Sequence, residues 1–224
     1  MLSRTTTVHS RPRRVAAALR RGELVYDRVF DDVFPVAVRR ASAVHWTPVE
    51  VAVRAAKLLT EGVVAPVILD IGAGVGKFCT IAAATVDAVV HGIEHRKHFV
   101  EIARCAAVRL GVEVDFVHGT IADHDASSIT GAYLFNPFAE NLAHREDRLD
   151  ESVELSERAF WRDVLASQRF LDQARVGTRV VTYCGWGGQM PPDYELVLRE
   201  GRAGTLELWR KSSASRAASL RQTA

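Results

Sequence analysis

The sequence predicts an α/β fold: a seven-stranded sheet, mostly parallel, with an antiparallel hairpin at one edge and helices on both faces. Two observations carry this. Short apolar runs alternate with stretches of helical period from about residue 47 to residue 183, and strands alternating with helices call for parallel pairing through helical crossovers. The last two strand-like runs, DYELVLRE and GTLELWRK, are separated only by the turn around Gly201 to Gly204, the spacing of a hairpin.

The elements follow in order. TPVEVAVRAAKLL reads as a helix start, with Thr47 as cap, Pro48 where a missing N–H costs nothing, and Glu50 able to reach back. PVILDI is a buried strand; a glycine loop and the small-residue helix KFCTIAAATV follow. AVVHGIE is the second strand. In KHFVEIARCAAVRLG the apolar positions Phe99, Ile102, Ala103, Ala106 and Leu110 keep the 3.6-residue period, and Gly111 ends the helix. VEVDFVHG and GAYLFNPF are strands three and four, VELSERAFWRDVLASQRFLDQA is a long helix, and TRVVTYCG is strand five. Only about nine residues, CGWGGQMPP, separate strand five from the hairpin, too few for a crossover helix. Trp186 inside that stretch is either an exposed recognition ring or a packing wedge.

Length and composition bound the function. The chain has 224 residues, 48% of them hydrophobic and 25% charged, which suits a globular domain with a real core. A net charge of +2 gives no global basic field, so nucleic acid is a partner that charge does not indicate. No apolar run reaches the roughly 18 residues of a membrane span. Cys79, Cys105 and Cys184 are odd in number and far apart, as expected of reduced thiols in a cytoplasmic protein. Residues 1–22 carry Arg4, Arg11, Arg13, Arg14, Arg20 and Arg21 and no acid; they read as a solvated tail entering a first helix, without the apolar core of a secretory signal. The expected organisation is a helical extension or lid over 1–62, a main domain over 63–211 and a disordered tail over 212–224.

In such sheets ligands bind beyond the carboxyl ends of the strands, where strand order reverses. The positions to inspect are therefore 70–77, 94–95, 118–125, 136–141 and 184–189. The loop in VILDIGAGVGKF is the first of them. A P-loop needs four residues between its first Gly and the Gly-Lys pair, then Ser or Thr; here three residues separate Gly72 from Gly76, and Phe78 follows Lys77. The dinucleotide fingerprint needs a glycine where Lys77 stands. What remains is G-x-G-x-G, preceded by Asp70, a carboxylate better matched to a cationic ligand than to a pyrophosphate.

LDIGAGVGKF resembles the first motif of the class I S-adenosylmethionine-dependent methyltransferases, over roughly residues 63 to 210. The resemblance implies a Rossmann-like sheet, S-adenosylmethionine as cofactor, and cofactor contacts at Asp70, Gly72, Ala73, Gly74 and Gly76. It also implies an acid after strand two for the ribose hydroxyls. Glu94 stands there, 24 residues beyond Asp70, and a carboxylate accepts both hydroxyl hydrogens. His95 beside it is a candidate to flank the adenine. Many family members end strand three in Gly-Asp, the Asp meeting the adenine amine. Here the text is HGTIADHD, so Thr120 or Asp123 has to serve. His118, Asp123, His124 and Asp125 invite a metal reading, but neighbours on an irregular loop rarely converge on one ion, and no metal is expected.

After strand four the family faces the methyl group, and members that methylate an adenine or glutamine nitrogen often carry Asn/Asp-Pro-Pro-aromatic. Asn136, Pro137 and Phe138 are similar but one proline short. The Dot1-type lysine methyltransferases are a looser likeness. Both imply a nitrogen acceptor on a protein side chain, a nucleobase or a small molecule. The Asn oxygen would accept a hydrogen from the amine and the ring would stack on a flat acceptor. Tyr26, Phe30, Phe34, His45 and Trp46 are lid candidates, HWTP resembling an aromatic-Thr-Pro segment of some adenine methyltransferases. The charged segment AHREDRLDESVELSE reads as a mobile approach to the long helix that can also shape acceptor access. An irregular sheet edge would suit a homodimer. Two alternatives stand beside the methyltransferase: a non-catalytic binding module with the same fold, and an NAD-dependent oxidoreductase.

Overall fold

The computed structural model describes residues 10–201 and 204–213. The expected tail beyond 213, the hairpin tip at 202–203 and the first nine residues lie outside them. Helices α1 (Ser10–Arg20), α2 (Asp27–Phe30), α3 (Val36–His45) and α4 (Val49–Thr60) precede β1 (Val67–Ile71), α5 (Lys77–Thr85), β2 (Val89–Glu94), α6 (Lys97–Leu110) and β3 (Asp115–His118). Then come β4 (Gly131–Phe135), α7 (Glu157–Gln173), β5 (Arg179–Tyr183), β6 (Tyr194–Glu200) and β7 (Leu206–Lys211).

The strand order is β3-β2-β1-β4-β5-β7-β6, with the first five strands mutually parallel. β7, the second strand of the hairpin, inserts antiparallel between β5 and β6, leaving β6 on the edge. The central strands β1, β4 and β5 are buried on both sides and nearly all apolar, and their alternate residues feed two cores. Ile68, Tyr133 and Val181 face one core with α1, α4, α5 and α6. Leu69, Ala132, Leu134 and Val180 face the other with α7. Between β3 and β4 the crossover carries only two single turns, Ile121–Asp123 and Ala126–Ser128. Trp186 is a wedge: it is buried in the second core, and a Cβ on Gly188 would lie 2.4 Å from its ring.

Residues 10–60 share the first core with the sheet: Val15, Ala16 and Leu19 of α1 and Ala52, Ala55 and Leu59 of α4 all belong to it. Phe30 and Phe34 are core residues as well, whereas Tyr26 is exposed. Thr47 does not cap α4. Its hydroxyl lies 3.0 Å from the Tyr133 hydroxyl, and the Val49 N–H donates instead to Asp27 Oδ1 at 3.1 Å. At the other end, Ser212 is inside the fold, donating its N–H to the Asp193 carbonyl at 2.7 Å.

Lys77 explains how this N-terminal segment is held. It is the first residue of α5 and only 2% exposed. Its ammonium sits 2.6 Å from Asp27 Oδ1 and 2.8 Å from Asp31 Oδ1, and donates to Ser42 Oγ at 3.1 Å. The lysine that fits no phosphate motif is thus the pin between the glycine loop and α2–α3. Removing one member of a buried ion pair leaves the other uncompensated and typically costs about 3–5 kcal/mol. Lys77→Met is therefore expected to lose stability on that scale in urea denaturation, because Asp31 stays 6% exposed without its cation. Adding Asp31→Leu to it should recover a large part of the loss.

Candidate functional site

The order reverses at β1, which has β2 on one side and β4 on the other. The crevice there is bounded by the glycine loop. Three of the loop glycines have positive φ: +77° at Gly72, +55° at Gly74 and +75° at Gly76. Each is also pressed against a neighbour. A Cβ on Gly72 would lie 2.6 Å from Pro137, one on Gly74 2.6 Å from the Trp46 ring, and one on Gly76 2.6 Å from the Phe116 ring. Both steric demands select glycine. The loop is tied to the end of β2: the N–H groups of Gly72 and Ala73 donate to the Ile93 carbonyl at 3.0 and 2.8 Å, and that of Gly74 to Glu94 Oε2 at 2.9 Å.

Two hollows meet at this loop. The larger, about 290 Å³, has walls from His45, Trp46, Gly74, Phe99, Phe135 and Asn136 among others. The smaller is bounded by Ile71, Ile93, His95, Thr120, Ile121, Phe138 and Asp163 among others. Gly72, Glu94, Arg96 and Pro137 border both. Glu94 is 5% exposed, and its second oxygen accepts the Arg96 N–H at 2.8 Å. Each carboxylate oxygen thus takes one backbone donor and keeps a lone pair for another.

The fold now meets known proteins. No family model matches the chain. It is 35% identical over 88 residues to the ubiquinone biosynthesis O-methyltransferase of Vibrio atlanticus, covering 39% of this chain and 36% of that protein. The homologous protein of Vibrio campbellii is 34% identical over 89 residues, covering 40% and 37%. The chain therefore matches just over a third of the length of these curated relatives. Among solved structures, it resembles an RNA methyltransferase from Salinibacter ruber in complex with S-adenosyl-L-homocysteine, with a TM-score of 0.54 and 22% identity over 75% of this chain and 94% of that one. TrmN from Thermus thermophilus gives a TM-score of 0.55 and 14% identity over 77% and 51%. The fold is that of the class I S-adenosylmethionine-dependent methyltransferases.

Against this methyltransferase frame the expected site residues fall in three groups. Gly72, Gly74, Glu94 and Pro137 border the larger hollow together with Asn136, and Ala73 and Gly76 build the loop behind them. His95 and Thr120 border the smaller hollow. Phe138 does so too: it is 8% exposed, packed in the second core and not in a wall of the larger hollow. The rings around the larger hollow are Trp46, Phe99 and Phe135 instead. The side chain of Asp123 lies outside the described residues. Asp125 is committed to Ser127, whose N–H and hydroxyl donate to it at 2.8 and 2.7 Å, and His118 Nε2 donates to the His95 carbonyl at 3.1 Å.

Asp70 borders neither hollow. It is 4% exposed behind the loop, where Cys79 Sγ donates to its Oδ2 at 3.2 Å. Burial pushes its carboxyl up to about 7; the Cys79 hydrogen bond opposes the shift and the Glu94 charge adds to it.

Arg96 was not foreseen. It is 4% exposed, borders both hollows, and reaches Glu140 Oε2 at 2.9 Å, Asp150 Oδ1 at 3.2 Å and His95 Nε2 at 3.2 Å. Glu140 also accepts the Leu149 N–H at 2.6 Å. Although burial works against it, hydrogen bonds from Ser152 and the Arg96 guanidinium hold Asp150 at about 2. The charged segment after β4 is thus pinned rather than loose, and Ala143, Asp147 and Leu149 of that segment border the larger hollow. A lone Arg after an acid gives no sequence signal; only the facing acids reveal it.

Asp70 yields a pH test. In the folded chain it keeps its proton up to about 7, whereas in the unfolded chain it releases it near 4. Between those values the unfolded state binds fewer protons, so stability falls as pH rises. The melting temperature of Asp70→Asn should therefore gain on that of the wild type from pH 5 to pH 8, measured without ligand; parallel curves would mean that Asp70 is ionised in the folded state throughout.

Proposed function

We propose that the chain is an S-adenosylmethionine-dependent methyltransferase, with the cofactor's adenosine part at Glu94 and the smaller hollow, and the acceptor in the larger one. The observation that carries this reading is the Glu94 carboxylate at the end of β2, locked to Gly74 and Arg96 and bordering both hollows. The residues present suit such a ligand: an acid with free lone pairs for the ribose hydroxyls, and the apolar Ile71, Ile93, Ile121 and Phe138 for a flat base. When bound, S-adenosylmethionine supplies a methyl group on a sulfonium, open to direct displacement. The protein's share is alignment and exclusion of water. The pinned segment from Glu140 to Asp150 supports the second task.

Nitrogen is the acceptor that Asn136 favours. Asn136 has φ +39°, a left-handed conformation rare outside glycine, and its N–H donates to the Gly185 carbonyl at 3.0 Å. Its exposed side chain borders the larger hollow, where no hydrogen bond to it is found among the described residues. A strained residue offering an unpaired amide beside a binding hollow fits a functional role. It would accept a hydrogen from the incoming amine or amide and aim the lone pair.

A hydroxyl acceptor is the second reading, and His45 supports it. His45 borders the larger hollow, and burial lowers its pKa; the Glu140 carboxylate opposes that shift and Arg96 adds to it. A neutral imidazole at physiological pH is the base that an alcohol or phenol needs. The Vibrio relative is named an O-methyltransferase.

Titration calorimetry with S-adenosylhomocysteine tests the cofactor reading: it should bind, NAD should not, and Glu94→Gln should weaken binding by about tenfold through loss of a charge-assisted hydrogen bond. Binding of NAD alone would overturn it. Asn136→Gly, which relieves the positive φ while deleting the amide, should keep affinity for S-adenosylhomocysteine within about threefold and lower methyl transfer by about 100-fold. Equal loss of both would remove the acceptor role from Asn136.

A further inference from the structure

Helix α7 carries a carboxylate where its pattern calls for an apolar side chain. Its buried stripe runs Ala159, Phe160, Asp163, Val164, Ser167, Phe170 and Leu171, the spacing of a core-facing helix. Asp163 is 7% exposed in the middle of it. A buried carboxylate on such a stripe is costly without a partner that merits the position. The partner found is Arg162, which donates through Nε and Nη2 at 2.8 and 3.0 Å, but that guanidinium is 58% exposed and is the next residue along the helix. An exposed pair of this kind contributes little, so it does not account for an acid at this place.

The place is informative. Asp163 borders the smaller hollow and not the larger one. Glu94 borders the same hollow from β2, so acids from two separate elements reach one hollow, which Ile93, Ile121 and Phe138 also line. After β3, where an acid for the adenine amine was expected, Thr120 stands instead.

Resting on the cofactor reading above, we infer that Asp163 is the group that selects adenine: its carboxylate accepts a hydrogen from the exocyclic amine of the base, in place of the acid missing after β3. α7 takes over a task that the β3 loop does not perform. A carboxylate has acceptors only, so it favours the 6-amino group of adenine and repels the 6-oxo group of hypoxanthine. Asp163 is a positioning residue for the cofactor and takes no part in methyl transfer.

The test uses S-adenosylhomocysteine and S-inosylhomocysteine, which differ only along one edge of the base (6-amino with a bare N1 against 6-oxo with N1–H), titrated into the full-length protein. The wild type should prefer the adenine compound by about tenfold or more, the effect of one hydrogen bond to a charged group and one repulsion removed. Asp163→Asn presents an amide that can donate as well as accept, so the preference should shrink to about threefold or less. Asp163→Leu should likewise lose the preference, by weakening the adenine compound and relieving the repulsion of the inosine compound. Melting curves without ligand should show both variants folded and no less stable than wild type, since a buried charge has been removed. An unchanged ratio in both variants would overturn the assignment while leaving the cofactor reading standing. A wild type that binds neither compound would overturn the cofactor reading and the assignment together.

Discussion

The hydrogen bond from the Gly74 N–H to Glu94 Oε2 is the contact on which the site depends. It joins the loop after β1 to the end of β2, and it does so with a carboxylate that also takes the Arg96 N–H. One side chain therefore sets the loop, the start of α6 and the border between the two hollows. The loop can lie that close only because it lacks side chains: Pro137 and Trp46 occupy the space that Cβ atoms on Gly72 and Gly74 would need. The glycines serve the packing of protein on protein as much as access by a ligand.

Two buried cations extend that arrangement in opposite directions. Lys77 fastens α2 and the turn after it through Asp27 and Asp31, and α3 through Ser42, and so holds His45 and Trp46 at the rim. Arg96 fastens the segment after β4 through Glu140 and Asp150. Ion pairs of this kind add little to stability against well-packed apolar residues, yet breaking one is costly. That combination suits parts that must be held in register around a hollow. The enclosure on both sides is thus electrostatic, whereas the sheet beneath it is apolar.

Much of the fold was legible because it rests on local signals. Alternating apolar runs of strand length and 3.6-residue periodicity mark β1 to β5, α5, α6 and α7, and Gly111 ends α6 with φ +69° as a left-handed cap. Errors arose where a distant group outcompeted a local one. Thr47 looked like a cap because of its neighbours in sequence, but Tyr133, 86 positions away, engages its hydroxyl. The hairpin was evident, but which of its strands pairs with β5 was not, since both have similar patterns. The charged segment looked mobile because nothing in it is apolar enough to fold alone; its partner is a guanidinium some 50 residues earlier in the chain.

The sequence by itself determined the α/β architecture, the G-x-G-x-G loop and the acid after β2, because periodicity, glycine spacing and strand-end position are properties of short stretches. It also excluded the P-loop and the dinucleotide fingerprint, by glycine spacing and by the residues at 77 and 78. Only the tertiary structure decided that Asp70 lies behind the loop, that Phe138 borders the smaller hollow and that Asp163 joins it there from α7. Those outcomes depend on which face of a strand or helix meets which neighbour, and on which buried charges find partners across the chain. No local pattern encodes such pairings, since they are settled by packing and desolvation when the elements come together.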